Sequence, residues 1–118
     1  MRENVLKEKS FAFALDIIRL YKTLCFDKKE YVLSKQMLRS GTSVGANIRE
    51  AEYAQSRADF INKLSIALKE ANEADYWIEL LYLSEYIDSI SYQQIKIKAT
   101  EQLKLLTSII NRSKQSNY

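Results

Sequence analysis

The chain has 118 residues, 47% of them hydrophobic, a formal net charge of +3, two glycines, one cysteine, and neither proline nor histidine. That length suits one domain spanning residues 1–118, and the scarcity of turn residues excludes a strand-rich fold in favour of long helices. A lone Cys25 and no histidine exclude a structural zinc site, an internal disulfide and a histidine-activated nucleophile, so no metal, cofactor or catalytic residue is expected.

The first element is expected over residues 5–25. It carries two apolar stripes at helical spacing: Phe11, Ala14, Ile18, Tyr21 and Cys25 on one, Phe13, Ile17, Leu20 and Leu24 on the other. A bundle core needs only one such face, so the second predicts an interface between copies of the chain. Eight tyrosines point the same way, because tyrosine gives an interface apolar area with a polar tip. Asp27-Lys-Lys-Glu30 has the form of a capping box, with Phe26 and Tyr31 as its hydrophobic staple. It predicts a second helix over residues 28–55, with Leu33, Met37, Gly41, Val44, Ile48 and Ala51 on its inner face.

Ser56-Arg-Ala-Asp59 is a third-helix cap without a staple. The helix expected from it covers residues 57–87, with Ile61, Leu64, Leu68, Ala71, Ala74, Ile78 and Leu81 facing inward. Ser91-Tyr-Gln-Gln94, with Ile90 and Ile95 as staple, opens a fourth over residues 92–112. Its stripe is Tyr92, Ile95, Ala99, Leu103, Leu106 and Ile110, and residues 113–118 read as a tail. Short connections imply antiparallel neighbours, so the expected fold is all-α, an antiparallel up-down-up-down four-helix bundle. No apolar run is long enough to cross a membrane, and the polar start is unlike a signal peptide, which together predict a cytoplasmic protein.

Charge is unevenly spread. Residues 1–40 hold nine Lys/Arg against five Asp/Glu, residues 41–90 four against nine, and residues 91–118 five against one. Packing the first helix beside the last would join Lys7, Lys9, Lys22, Lys28, Lys29 and Lys35 to Lys96, Lys98, Lys104 and Arg112. These ten are the candidate nucleic-acid contacts, to backbone or shape, since nothing resembles a helix-turn-helix or a base-stacking sheet. The alternative is a protein-protein adaptor or scaffold with no nucleic-acid role, docking a basic partner on Glu70, Glu73, Asp75, Glu79, Glu85 and Asp88. An enzyme is disfavoured, because the carboxylates lie on an amphipathic helix and a di-metal bundle site needs Glu-x-x-His pairs.

The most distinctive stretch is Leu38-Arg-Ser-Gly-Thr-Ser-Val-Gly-Ala-Asn-Ile-Arg-Glu-Ala51. It lacks the Gly-Lys-Ser/Thr of a phosphate loop, and neither Ser40 nor Ser43 has a histidine or a following Ser-x-x-Lys lysine to activate it. Gly41 and Gly45 share a helix face, where small residues let another helix approach closely. Arg39, Ser40, Thr42, Ser43, Asn47 and Arg57 complete the motif as packing or boundary residues.

Residues 33–51, with Ser56–Ala71 and Tyr76–Leu81, resemble the four-helix-bundle proteins encoded in 23S rRNA intervening sequences. The accessory variability protein of diversity-generating retroelements looks like a relative. The resemblance implies a four-helix protomer, often a homopentamer around a central channel. In the retroelement branch it implies binding of RNA or DNA and of a reverse transcriptase.

Overall fold

The computed structural model describes residues 2–115. Four helices fill it: α1 (Arg2–Phe26), α2 (Leu33–Ala51), α3 (Arg57–Leu83) and α4 (Ser89–Gln115). Each packs on two neighbours, α4 closing back onto α1, and the backbones of the diagonal pairs α1/α3 and α2/α4 stay further apart among the described residues. Cross-helix contacts fix the directions. Gly41 faces Ile17 and Gly45 faces Ser10, so α2 descends as α1 rises. Arg39 reaches Glu70 and Glu73 while Glu50 meets Lys63, which turns α3 back up. Glu3–Arg112 and Asp16–Lys98 run α4 down beside α1. The result is an up-down-up-down bundle 51 Å long, with the α1–α2 and α3–α4 connections at one end.

The core falls into two apolar clusters. Leu6, Val44, Ile48, Leu64, Leu106 and Ile109 pack near the chain termini, and Phe13, Ile17, Leu24, Met37, Ile78 and Leu81 near the two connections. Between them α1 contributes Ser10, α2 Ser40 and α4 Gln102, all fully buried. Ser10 and Ser40 donate to the helix carbonyls of Lys7 and Gln36. The Gln102 amide meets no protein hydrogen-bond partner among the described residues.

Helix ends depart from the expected bounds for identifiable reasons. α2 starts at Leu33 rather than residue 28, because Glu30 and not Asp27 supplies the acceptor. Its carboxylate takes the amides of Val32 (3.2 Å), Leu33 (2.8 Å) and Ser34 (2.8 Å). α2 stops at Ala51 rather than residue 55. Amides 52–54 turn back in tight bonds to Arg49, Glu50 and Ala51, and Ser56 is held extended (φ −155°, ψ 166°) to accept from Asp59 at 3.0 Å. α3 stops at Leu83 rather than residue 87, where Glu85 sits at φ 70°. The Glu85 and Tyr86 amides return to Tyr82 and Leu81 in a Schellman closure. α4 opens three residues before residue 92, because Asp88 accepts from the Ser91 amide at 2.7 Å. It continues through Gln115, so residues 113–115 of the expected tail are helical, and residues 116–118 lie outside those described.

Candidate functional site

The glycine-containing motif is turned inward. Ser40, Thr42 and Ser43 donate to the carbonyls of Gln36, Leu38 and Arg39, and Asn47 donates to that of Ser43. Their polar atoms therefore serve α2 itself. Arg39 bridges to Glu70 at 3.2 Å and also to Glu73, tying α2 to α3. Arg57 donates to the Ser113 carbonyl at 3.2 Å, tying the start of α3 to the end of α4. A Cβ on Gly41 would stand 2.9 Å from Ile17 Cγ1, so the close approach of α1 and α2 depends on its absence.

The ten basic candidates separate into two sets. Lys7 pairs with Glu52 and Lys9 with Glu101, each at 2.9 Å. Lys96 meets Asp75 at 2.7 Å, Lys98 meets Asp16, and Arg112 stands 3.9 Å from Glu3. The Asp75 carboxylate pushes the Lys96 amine up from its ordinary value, against the opposing effect of burial. So α1 and α4 do lie side by side, but their seam is laced by pairs of opposite charge. The cleft there, about 260 Å³, is lined by Asp16, Arg19, Thr23 and Lys98, and Asp16 already holds both cations.

Lys22, Lys28, Lys29, Lys35 and Lys104 form no ion pair among the described residues. Lys104 stands alone on α4. The other four lie within fourteen residues around the α1–α2 connection, and that turn is rigidly held. The Glu30 amide donates to the Leu24 carbonyl at 3.0 Å, Ser34 Oγ donates to the Glu30 carbonyl at 2.7 Å, and Lys29 is left-handed at φ 57°. Burial pushes the Glu30 carboxyl up, but the hydrogen bonds from Ser34, Leu33 and Val32 together outweigh it and hold it below the usual glutamate range. Glu30 is only 9% exposed, so Asp27 is the only well-exposed acid in this stretch.

Exposed rings accompany these lysines. Phe26 is 72% and Tyr31 57% exposed, because capping by Glu30 leaves no staple for them to form. Across the same end, Leu83, Tyr86 and Ile90 are exposed on the α3–α4 corner, which is stiffened by the stacked Tyr82 and Tyr92 rings 3.9 Å apart. A hollow of about 450 Å³ joins Lys28 to Tyr82, Tyr86 and Asp88. The Ser91 amide holds the Asp88 carboxyl below its ordinary range, with a smaller contribution from the Lys28 charge. Sequence reasoning missed this concentration of rings at one end. The signal was present in Glu30 standing three and four residues before Leu33 and Ser34, which leaves Phe26 and Tyr31 outside both helices' inner faces.

No group of residues suited to hold a metal ion occurs among those described, and no described helix is long and apolar enough to cross a membrane. The profile of the 23S rRNA-intervening sequence protein family matches residues 2–108. The chain belongs to that family. A solved structure from Bacteroides thetaiotaomicron VPI-5482, a protein of unknown function from the S23 ribosomal protein family, is 63% identical. It superposes with a TM-score of 0.92, over 94% of this chain and 99% of its own. No curated protein matches the chain.

Proposed function

We propose that this intervening-sequence protein is a non-catalytic, homo-oligomeric cytoplasmic protein, in the expected case a pentamer, that holds RNA or DNA on basic surfaces repeated around the assembly. The observation that carries the reading is the partition of the lysines. Those between helices are neutralised by acids, whereas Lys22, Lys28, Lys29 and Lys35 form no ion pair among the described residues and cluster around one hydrogen-bonded connection. Phosphate contacts need cations that are not already spent on carboxylates. One protomer offers few such contacts, and repetition around a ring raises the effective affinity without any new contact.

Salt-dependent binding of labelled RNA to the wild type and to a Lys28→Glu/Lys29→Glu/Lys35→Glu variant tests the reading. Removing three phosphate contacts on a single strand lowers the slope of log K against log salt by about 2 per binding site, at roughly 0.7 per contact. Affinity at low salt falls by at least tenfold. Unchanged affinity and slope in the variant overturn the assignment. The second reading, a protein adaptor without nucleic acid, draws support from Leu83, Tyr86 and Ile90, exposed beside Glu85 at the same end. It is favoured if the wild type retains no RNA at low salt yet captures a basic protein partner.

A further inference from the structure

We infer that the α1–α2 connection grips single-stranded nucleic acid, stacking unpaired bases on Phe26 and Tyr31 while Lys22, Lys28, Lys29 and Lys35 hold the phosphates. The inference rests on the nucleic-acid reading above and narrows it to one class of ligand and one place.

Lysines alone do not distinguish a duplex from a single strand, since both present phosphates. The rings do. Phe26 closes α1 and Tyr31 precedes α2, so the two aromatics flank the Lys28–Lys29 turn and face solvent over most of their surface. A ring offers a base a stacking face only where that base is free of its own stack, which is the condition of a single strand, a loop or a bulge. This end of the bundle projects no helix or ribbon that could enter a groove, being the blunt close of four helices within a cross-section of 21 × 19 Å. Base-edge reading of a duplex is therefore not available to it.

The turn is also preorganised. A flexible loop would lose part of its binding energy in becoming ordered. Here Glu30 ties three amides of the α2 start, its own amide ties back to α1, and Lys29 is fixed in the left-handed region. Neither ring contributes to the buried core clusters, so packing alone gives no reason for two exposed aromatics beside four unpaired cations. Leu83 and Ile90 share this end but stand with Glu85 and Asp88 on the α3–α4 side; Lys28 reaches the hollow that these acids line, and beyond it their negative charge repels phosphate. The strand is thereby confined to the α1–α2 half.

Fluorescence anisotropy on the full chain tests this, with a short labelled oligouridylate, a blunt RNA duplex of the same length, and light scattering on every variant. The single strand is expected to bind at least tenfold more tightly than the duplex. Phe26→Ala/Tyr31→Ala loses about tenfold or more on the single strand, a modest share of what two stacked bases supply, and leaves duplex binding unchanged. Phe26→Trp retains the affinity. Equal binding of both forms, with the double alanine variant indifferent, overturns the grip but leaves nucleic-acid binding standing. Binding of neither form at low salt removes both. A double variant that lowers the assembly mass while keeping its affinity assigns the rings to an interface between copies and overturns the proposal.

Discussion

A methyl group added at Gly41 meets Ile17 Cγ1 at 2.9 Å, Cγ2 at 3.0 Å and Cδ1 at 3.3 Å. Ile17 has no room to yield: it is fully buried, and its β-branch holds χ1 in one helical rotamer. At Gly45 the nearest atoms are those of Ser10 at 3.5 Å, an ordinary contact. Alanine gains about 1 kcal/mol over glycine in helix propensity at either position, while overpacking a core costs about 1–3 kcal/mol. The two glycines are therefore opposite in sign. Gly41→Ala is expected to lower the stability by about 1 kcal/mol and Gly45→Ala to raise it by about 0.5 kcal/mol or more. Urea unfolding at equal protein concentration decides the matter, and a Gly41→Ala variant as stable as Gly45→Ala would show that the α1–α2 approach does not depend on this position. Sequence spacing placed both glycines on one face, but their unequal clearance comes from the α1 residue each one faces, the branched Ile17 side chain at Gly41 and the small Ser10 at Gly45, a pairing that spacing within α2 does not encode.

Single carboxylates decide where α2 and α4 begin. Each fills an acceptor role that the first-turn amides leave open. For α2 that group is Glu30, and its pH dependence has a definite sign. Its folded carboxyl lies below the ordinary range, so its stabilisation is complete above its unfolded value, near pH 4.3, and is lost as pH falls through the lower folded value. Glu30→Gln replaces one accepting oxygen with an NH₂ that faces an amide donor. The expected cost is about 1–2 kcal/mol at pH 7, and the gap between variant and wild type closes as the pH drops below about 4. Denaturation midpoints measured across that range check it, and a gap independent of pH would mean that the charge contributes nothing. The four helices and their inner stripes were legible because apolar periodicity survives errors of up to five residues at the ends. The caps of α2 and α4 were not, since Asp27 and Ser91 have the right residue type at a plausible spacing and lose to Glu30 and Asp88 only through the path of the turn. The Ser56 cap, with no staple beside it, is the one that forms as read.

Across the whole molecule, the basic ends and acidic middle of the sequence are partly consumed in pairs that bridge neighbouring elements, through Lys7–Glu52, Lys9–Glu101, Lys96–Asp75 and Arg39–Glu70. The candidate site was thus only half legible. Which helices are basic is written in the composition, but which lysines remain unpaired depends on the facing helix. Apolar surface is left over in a more orderly way. On α1 the stripe of Phe13, Ile17 and Leu24 is buried, whereas Phe11 and Leu15 are 55% and 40% exposed, with Ile18 half-buried beside them. Phe11, Leu15 and Ile18 recur at spacings of four and three, which is the pattern of a helix face meeting another helix. A lone exposed apolar residue needs no explanation, but an ordered row along a helix is where copies would meet in the proposed assembly. Charged residues on that row should dissolve the assembly and spare the protomer, because neither Phe11 nor Leu15 belongs to a buried core cluster. A Phe11→Glu/Leu15→Glu variant is therefore expected to keep its helical circular dichroism and to scatter light as a single 13.8 kDa chain, while the wild type scatters as a multiple of it. A wild type that is monomeric at micromolar concentration, or a variant that keeps the full assembly mass, would remove α1 as the surface on which copies meet.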